Sequence, residues 1–454
     1  MSNFKLFLTI FILFILISTI FPEDNKPEEI KEDIKSLKDE RLETIQYGID
    51  TQVIDLLKIL ETEKNYEFNS DLLELLKSST NSRLDQNIIG LFQKAEDDSA
   101  VEYAYKQLEE DYNLRDNIKV VYLNYISKYQ TTEISEYLLS LIDVESNAIS
   151  IAAITALGLS ELDNIIPTLI EYLEDSLFDS LRKPSIIESL GKLKATEAIE
   201  ILSDIATDIY SDDKSLRWRA VVALGDIGSP ESLPVLKSLY SDDDPNLRNN
   251  TITALKNYPT EEVTNLLIQG LKDSFWKVRV NAATSLGELK IKKAVPILIY
   301  KSENDPDTRN VKSASLTALG EIGGTKAFDF IRKLYQNERA DIGLRSIAIG
   351  ILAEKDLSHS LKTIEKVMED EWGKDKPLIL DYTCKVLSTT KSSSLKDLYS
   401  KMLLYEESIN LKLYALRGIM LNSISSMKPE VEKFTTEESQ GNVKKLALDV
   451  LKSL

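Results

Sequence analysis

Catalysis needs a converging set of ionisable or nucleophilic groups, and this 454-residue chain has few of the usual ones. His359 is its only histidine and Cys384 its only cysteine. A triad through His359, which sits in the loop-like stretch DLSHS, requires a distant nucleophile; Cys384, twenty-five residues on, could lie on a neighbouring unit, but nothing else supports Cys–His chemistry. His359 therefore reads as a solvated residue near a helix start, and Cys384, inside the apolar pattern LILDYTCKVL, as a small buried hydrophobe. One histidine and one cysteine exclude a zinc ribbon, a histidine-rich metal site and an internal disulfide. The run Asp242-Asp243-Asp244 has the carboxylates of a calcium loop, but such a loop needs six or more oxygens at set spacing. Its acids recur at the same turn along the chain, which fits helix caps. The glycines of GEIGGTKAF lack the lysine–serine/threonine pair of a phosphate loop and read as a helix terminator. The expectation is no catalytic residue, no metal and no cofactor: not an enzyme.

The elements that carry these residues repeat. SIAAITALGLS, PSIIESLGKLK, WRAVVALGDIG, NNTITALKNYP, VNAATSLGELK and KSASLTALGEIG are versions of one helix, each with a small residue followed by leucine and usually glycine. The rung leucines are Leu157, Leu190, Leu224, Leu255, Leu286, Leu319 and Leu352, continued through Leu387, Ile419 and Leu451 and backwards through Ile126 and Phe92. Twelve rungs at a mean step of about 33 residues leave room for two helices and two short turns. Within a unit, Val278, Ala282, Ala283, Leu286 and Leu289 form a stripe near period 3.6, and alternation at period two is absent. A second helix follows each rung, its first turn marked by Pro167, Pro234 and Pro296 at a constant ten residues after the leucine. The glycines at 158, 191, 225, 287 and 320 mark close helix approach or helix ends.

Each acidic turn precedes a basic anchor that lies seven residues before a rung. The anchors Arg217, Arg248, Arg279, Lys312 and Arg345 step by 31, 31, 33 and 33 residues. An aspartate at the turn caps the helix start, and the anchor bonds the turn of the next unit.

The pattern D-x-x-x-(L/V)-R-x-x-A-x-x-A-L-G resembles the HEAT repeat, in the short variety also called PBS-lyase HEAT-like. It is clearest over 148–353. The resemblance implies an all-α fold, an alpha-alpha superhelix or HEAT-like solenoid of roughly 12 helix pairs, in which second helices line the concave face. It further implies an Asp/Arg ladder that pairs Asp212 with Arg217, Asp243 with Arg248 and Asp273 with Arg279. The pattern breaks at Asn257–Tyr258 and stretches around 356–380. Some HEAT-like proteins are bilin lyases, but the repeat is widely shared without that chemistry. A HEAT-like iron hydroxylase is excluded by the missing histidines.

The expected organisation is a signal peptide or N-terminal membrane anchor at 1–22, an acidic linker with capping helices at 23–70, and repeats at 71–454. The apolar run from Leu6 to Phe21 after Lys5 has the layout of an export signal and is short for a bilayer span. Cleavage is favoured over an uncleaved anchor, so the body is expected to be exported, periplasmic or envelope-associated, with the membrane tether as the other outcome. The net charge of −19, from 74 acids and 55 lysines plus arginines, opposes nucleic acid. It favours a protein partner of basic or mixed charge. On the second helices the exposed offsets include Trp218, Arg219, Asn249, Asn250, Lys277, Asn281, Thr284 and Glu288, a strip suited to protein binding because aromatics dominate hot spots. The expected function is a noncatalytic protein-binding scaffold or adaptor. The alternatives are a lyase-like enzyme with a carboxylate site between repeats, or a structural, membrane-tethered envelope protein.

Overall fold

The computed structural model describes residues 27–454, except 111–113, 130, 145, 161, 307–308, 375–376, 407 and 437–440, with side chains from 37 onward. The apolar run at 6–21 lies outside the described residues. Among those described there are 26 α-helices and no strand, and no helix is long and apolar enough to cross a membrane.

The chain forms two compact units, residues 1–189 and 190–454. Each is a stack of helix pairs. In the first, the rung helices Asp50–Glu63, Ser82–Ala95, Asp116–Ile126 and Asn147–Leu157 pack successively on one another. In the second, the succession is Lys214–Ile227, Pro245–Leu255, Trp276–Glu288, Arg309–Ile322, Ile342–Lys355, Leu378–Ser388, Ile409–Leu421 and Gly441–Ser453. Second helices such as Ile199–Thr207 and Val295–Asn304 pack against the rung helix that follows them.

The rung residues explain the stacking. Phe92, Ile126 and Leu157 in the first unit are fully buried, as are Leu190, Leu224, Leu255, Leu286, Leu319, Leu352, Leu387 and Ile419 in the second. Burying each such side chain is worth about 1.5–3 kcal/mol. The last rung departs from the sequence reading: Leu451 is only half-buried, and Val450 takes the core position. Leu60 is also fully buried, and its helix Asp50–Glu63 packs on Ser82–Ala95 as rung helices do.

Pro167, Pro234 and Pro296 each stand in the first turn of a second helix, where a proline N–H would have no partner. The glycines after the rungs serve close approach. Gly225 and Gly287 lie inside their helices, and a Cβ on either would stand 2.8 Å from the Cα of Ala254 or Ala318 in the next rung helix. Of the two readings of these glycines, close approach holds at both positions. A Gly287→Val variant is expected to lose about 1–3 kcal/mol from overpacking, seen as a lowered melting temperature.

The two irregular stretches have local causes. At the break after Leu255, Asn257 Nδ2 donates to the Gly225 carbonyl and the Tyr258 hydroxyl to the Leu224 carbonyl, both at 2.8 Å. These side chains tie the irregular turn to the end of the preceding rung helix. The stretch at 356–380 arises because the second helix there, Leu357–Glu371, has 15 residues. The tyrosine-rich region of the first unit is core: Tyr122 and Tyr125 are buried, and Tyr125 donates to the Asp97 carbonyl at 2.6 Å.

The first unit carries one poorly satisfied acid. Asp85 Oδ1 is buried without a hydrogen-bond partner, and burial, aided by the charge of Asp50, raises its carboxyl above the ordinary value. A raised folded-state pKa means that the ionised form opposes folding, so this cost fades as pH falls through that pKa. Asp85→Asn is expected to stabilise the first unit by about 1 kcal/mol at pH 7. The gain should shrink toward pH 4 in parallel denaturant melts of parent and variant.

Candidate protein-binding surface and the ladder that holds it

Three rung helices of the second unit, Lys214–Ile227, Pro245–Leu255 and Trp276–Glu288, carry all eight residues of the sequence-derived strip. None lies on a proline-started second helix, which corrects that placement. A periodic sequence has no marked origin, so it does not say which helix of a pair comes first. Lys277, Thr284 and Glu288 are exposed, while Trp218, Arg219, Asn249, Asn250 and Asn281 are half-buried.

The strip is partly self-bonded. Asn281 Nδ2 donates to Asn249 Oδ1 and to Thr253 Oγ1, both at 3.0 Å. Trp218 does not stand free, because its indole N–H donates to Asp244 Oδ2 at 2.7 Å. Asp244 Oδ1 at the same time caps the next rung helix through the Asn246 N–H at 2.8 Å. Glu288 pairs with Lys256 at 2.8 Å, and the Lys277 ammonium lies 5.8 Å from the Trp276 ring centre.

Beneath this face the basic anchors reach forward by one unit. Arg217 Nη2 meets Asp242 Oδ2 at 2.7 Å. Arg248 holds Asp273 with two parallel bonds, Nε to Oδ2 at 2.8 Å and Nη2 to Oδ1 at 2.9 Å. Arg279 holds Asp305 in the same fork, at 2.9 and 2.8 Å. The carboxylates are thus those of the following turn, about 25 residues on, and not Asp212, Asp243 and Asp273 of each anchor's own turn. Asp212 and Asp243 are exposed. The own-turn contacts go to backbone: Arg248 Nη1 donates to the Asp242 carbonyl at 2.9 Å and Arg279 Nη1 to the Asp273 carbonyl at 2.8 Å. The reason is reach. A guanidinium in the first turn of its helix lies below its own loop and beside the next one, and bidentate geometry selects the carboxylate it can meet in plane.

These contacts set the charges. Partial burial alone would raise the carboxyl of Asp273, but the Arg248 guanidinium and the Phe275 N–H hold it below the ordinary value. At Asp242 burial is likewise outweighed, by the Asp244 N–H and by Arg217. The ladder then loosens. Lys312 donates to the Glu303 carbonyl at 2.7 Å, and the residue 25 positions on, where Arg217 and Arg248 find an aspartate, is Asn337. Arg345 lies 3.6 Å from Glu371 and donates through Nε to the Tyr335 carbonyl at 2.9 Å.

Sequence reasoning missed Arg182 in the first unit. It bonds Asn147 Oδ1 at 2.7 Å and the carbonyls of Ile142 and Val144 at 2.6 and 2.8 Å. Its position eight residues before Leu190, one off the usual seven, hid it. Also missed were the ion pairs between the C-terminal ends of stacked rung helices: Lys94 with Glu61, Lys128 with Glu96 and Lys355 with Glu321. Being exposed, each contributes at most about 1 kcal/mol.

The remaining chemical groups do not converge. Cys384 is fully buried, and burial pushes its thiol far up, keeping it protonated. His359 is not in a loop; it occupies the first turn of Leu357–Glu371, mostly exposed, with Nδ1 3.1 Å from Asp356 Oδ1. Among the described residues no three His, Cys, Asp or Glu side chains are placed to hold a metal ion.

Stacked helix pairs with a forward-reaching Arg/Asp ladder define a HEAT-repeat protein of the α-solenoid class. Residues 45–450 match the Spirochaete HEAT repeat protein family, and the chain belongs to it. The chain is similar to uncharacterized phycocyanin operon protein Z of Pseudanabaena tenuis (strain PCC 7409), 21% identical over 169 residues, 36% of this chain and 84% of that protein. Yeast importin-beta (Kap95p) has a similar fold, with a TM-score of 0.52 at 12% identity over 91% of this chain and 67% of that one. The Kap95:Nup1 complex gives the same values.

Proposed function

We propose that this protein is a noncatalytic scaffold or adaptor that holds a protein partner on the rung-helix face of its second unit. The observation that carries the reading is the open face over three successive rung helices, kept in register by the Arg/Asp forks beneath it. It offers exposed Lys277, Thr284 and Glu288 beside half-buried Trp218 and Asn281, a mixture of aromatic, amide and charged groups suited to protein recognition. The Kap95:Nup1 complex is a protein assembly on a similar fold, which fits this reading. The net charge of −19 favours a partner of basic or mixed charge, since opposite potentials speed encounter. The apolar run at 6–21, preceded by Lys5, supports action outside the cytoplasm, with the segment cleaved or kept as a tether. N-terminal sequencing of the mature chain separates those two forms.

Affinity capture from the native cell envelope identifies the partner. Thr284→Arg puts bulk on the exposed face without touching the ladder, and Trp218→Ala removes the aromatic. Each is expected to weaken the captured interaction about tenfold or more. Unchanged affinity for Thr284→Arg, in a variant that melts like the parent, would remove this face from the proposal.

A further inference from the structure

A second surface of the second unit lies where rung helices end and second helices begin. Several second helices there are preceded by a short 3-10 turn, as at Pro230–Ser232, Lys292–Ala294 and Ser393–Leu395. Two consecutive units lack it. Helix Arg309–Ile322 passes to Thr325–Gln336 through Gly323 and Gly324, both with positive φ, and Ile342–Lys355 passes to Leu357–Glu371 through Asp356 alone. Beside these junctions lies a cleft of about 680 Å³, lined among others by Thr325, Ser358, His359, Lys391, Ser392 and Ser394.

The charged groups of this cleft are mostly paired with one another or with near neighbours. Its two acids are already answered: Asp356 is held by the Arg332 guanidinium and by Ser360 Oγ at 2.8 Å, and Glu354 lies 3.3 Å from Lys355. Lys391 is exposed and makes no ion pair among the described residues. Arg332 is also paired with Asp329 and Lys355 with Glu321, so Lys391 is the cation of the lining left without a carboxylate among the described residues. The contact between His359 Nδ1 and Asp356 Oδ1 orients the ring and leaves Nε2 for a ligand. Four hydroxyls share the wall with these cations, and Ser392 Oγ and Ser394 Oγ are 2.7 Å apart. Hydroxyls, an ammonium and an imidazole together match a tetrahedral anion with three terminal oxygens better than a planar carboxylate with two.

We propose that this cleft binds a phosphate monoester group, through Lys391, His359 and the hydroxyls of Thr325, Ser358, Ser392 and Ser394. The group can come from a free phosphate compound or from a phosphorylated side chain of a partner. The cleft shares no residue with the rung-helix strip, so the two readings stand or fall separately.

Calorimetric titration of the full chain at fixed ionic strength tests it, with inorganic phosphate, a phosphoserine peptide and acetate as probes. Phosphate or the phosphopeptide is expected to bind saturably and acetate at least about tenfold more weakly. Lys391→Gln and His359→Gln are each expected to weaken binding about tenfold. Lys362→Gln, on the helix of His359 but outside the cleft, should leave it unchanged. A tighter fit for the phosphopeptide assigns a protein source, and equal affinities assign a free phosphate compound. Acetate binding as well as phosphate, no saturable signal with either phosphate probe, or a Lys391→Gln variant that binds like the parent would overturn the proposal.

Discussion

Replacing Arg279 with alanine is expected to cost the second unit about 3–5 kcal/mol, the usual result of stripping the partner from a buried charge. The Asp305 side chain has 0% exposure and that of Arg279 only 4%. Without the fork, the carboxylate keeps Lys301 at 3.1 Å but loses two in-plane donors. The same change frees the carbonyls of Asp273 and Ser274, which close the turn before the helix. The double variant Arg279→Met with Asp305→Leu is expected to recover only part of the loss: it removes the stranded carboxylate but leaves Lys301 and the two carbonyls without these partners. Arg248→Ala should cost less, because its pair retains 14% and 12% exposure. Urea unfolding followed by circular dichroism ranks the three. A loss under about 1 kcal/mol for Arg279→Ala would mean that the forks set register without adding stability.

Leu286→Ala is expected to cost about 2–5 kcal/mol, because the rung leucine is fully buried and leaves a cavity between two neighbours that cannot collapse. Half-buried Leu451→Ala should cost well under half as much. In a stack held by nearest-neighbour interfaces, damage to the rung at Leu286 weakens the interfaces with both neighbouring rung helices. Hydrogen exchange should show faster exchange in Pro245–Leu255 and Arg309–Ile322 for Leu286→Ala, with little change beyond them. Equal losses at positions 286 and 451 would contradict the burial difference.

The stack was legible in the sequence because its determinants are local and repeated. A leucine preceded by alanine and followed by glycine carries its own packing rule, and the proline ten residues on marks the next helix start. Where a unit uses other residues, the rule is hidden. Where the glycine is absent, Tyr258 and Asn257 bond carbonyls of the preceding helix, which no spacing announces. The ladder was half legible. The periodic arginines were visible, but which carboxylate each would meet depends on side-chain reach between stacked turns. The strip around Trp218 was read as exposed because helix offsets give facing, not partners, and they could not show that the indole bonds the next helix cap. The phosphate-type cleft has no motif at all. It is lined from two helix junctions and by Lys391, a lysine distant in sequence from Thr325 and His359.

The bond from the Trp218 indole to Asp244 joins the end of one helix's first turn to the cap of its neighbour. The chain has only three tryptophans, so this one can serve as an intrinsic strain gauge. Any load that slides those two helices apart must break the bond and admit water to the ring, and its emission would shift to the red before the helices themselves unwind.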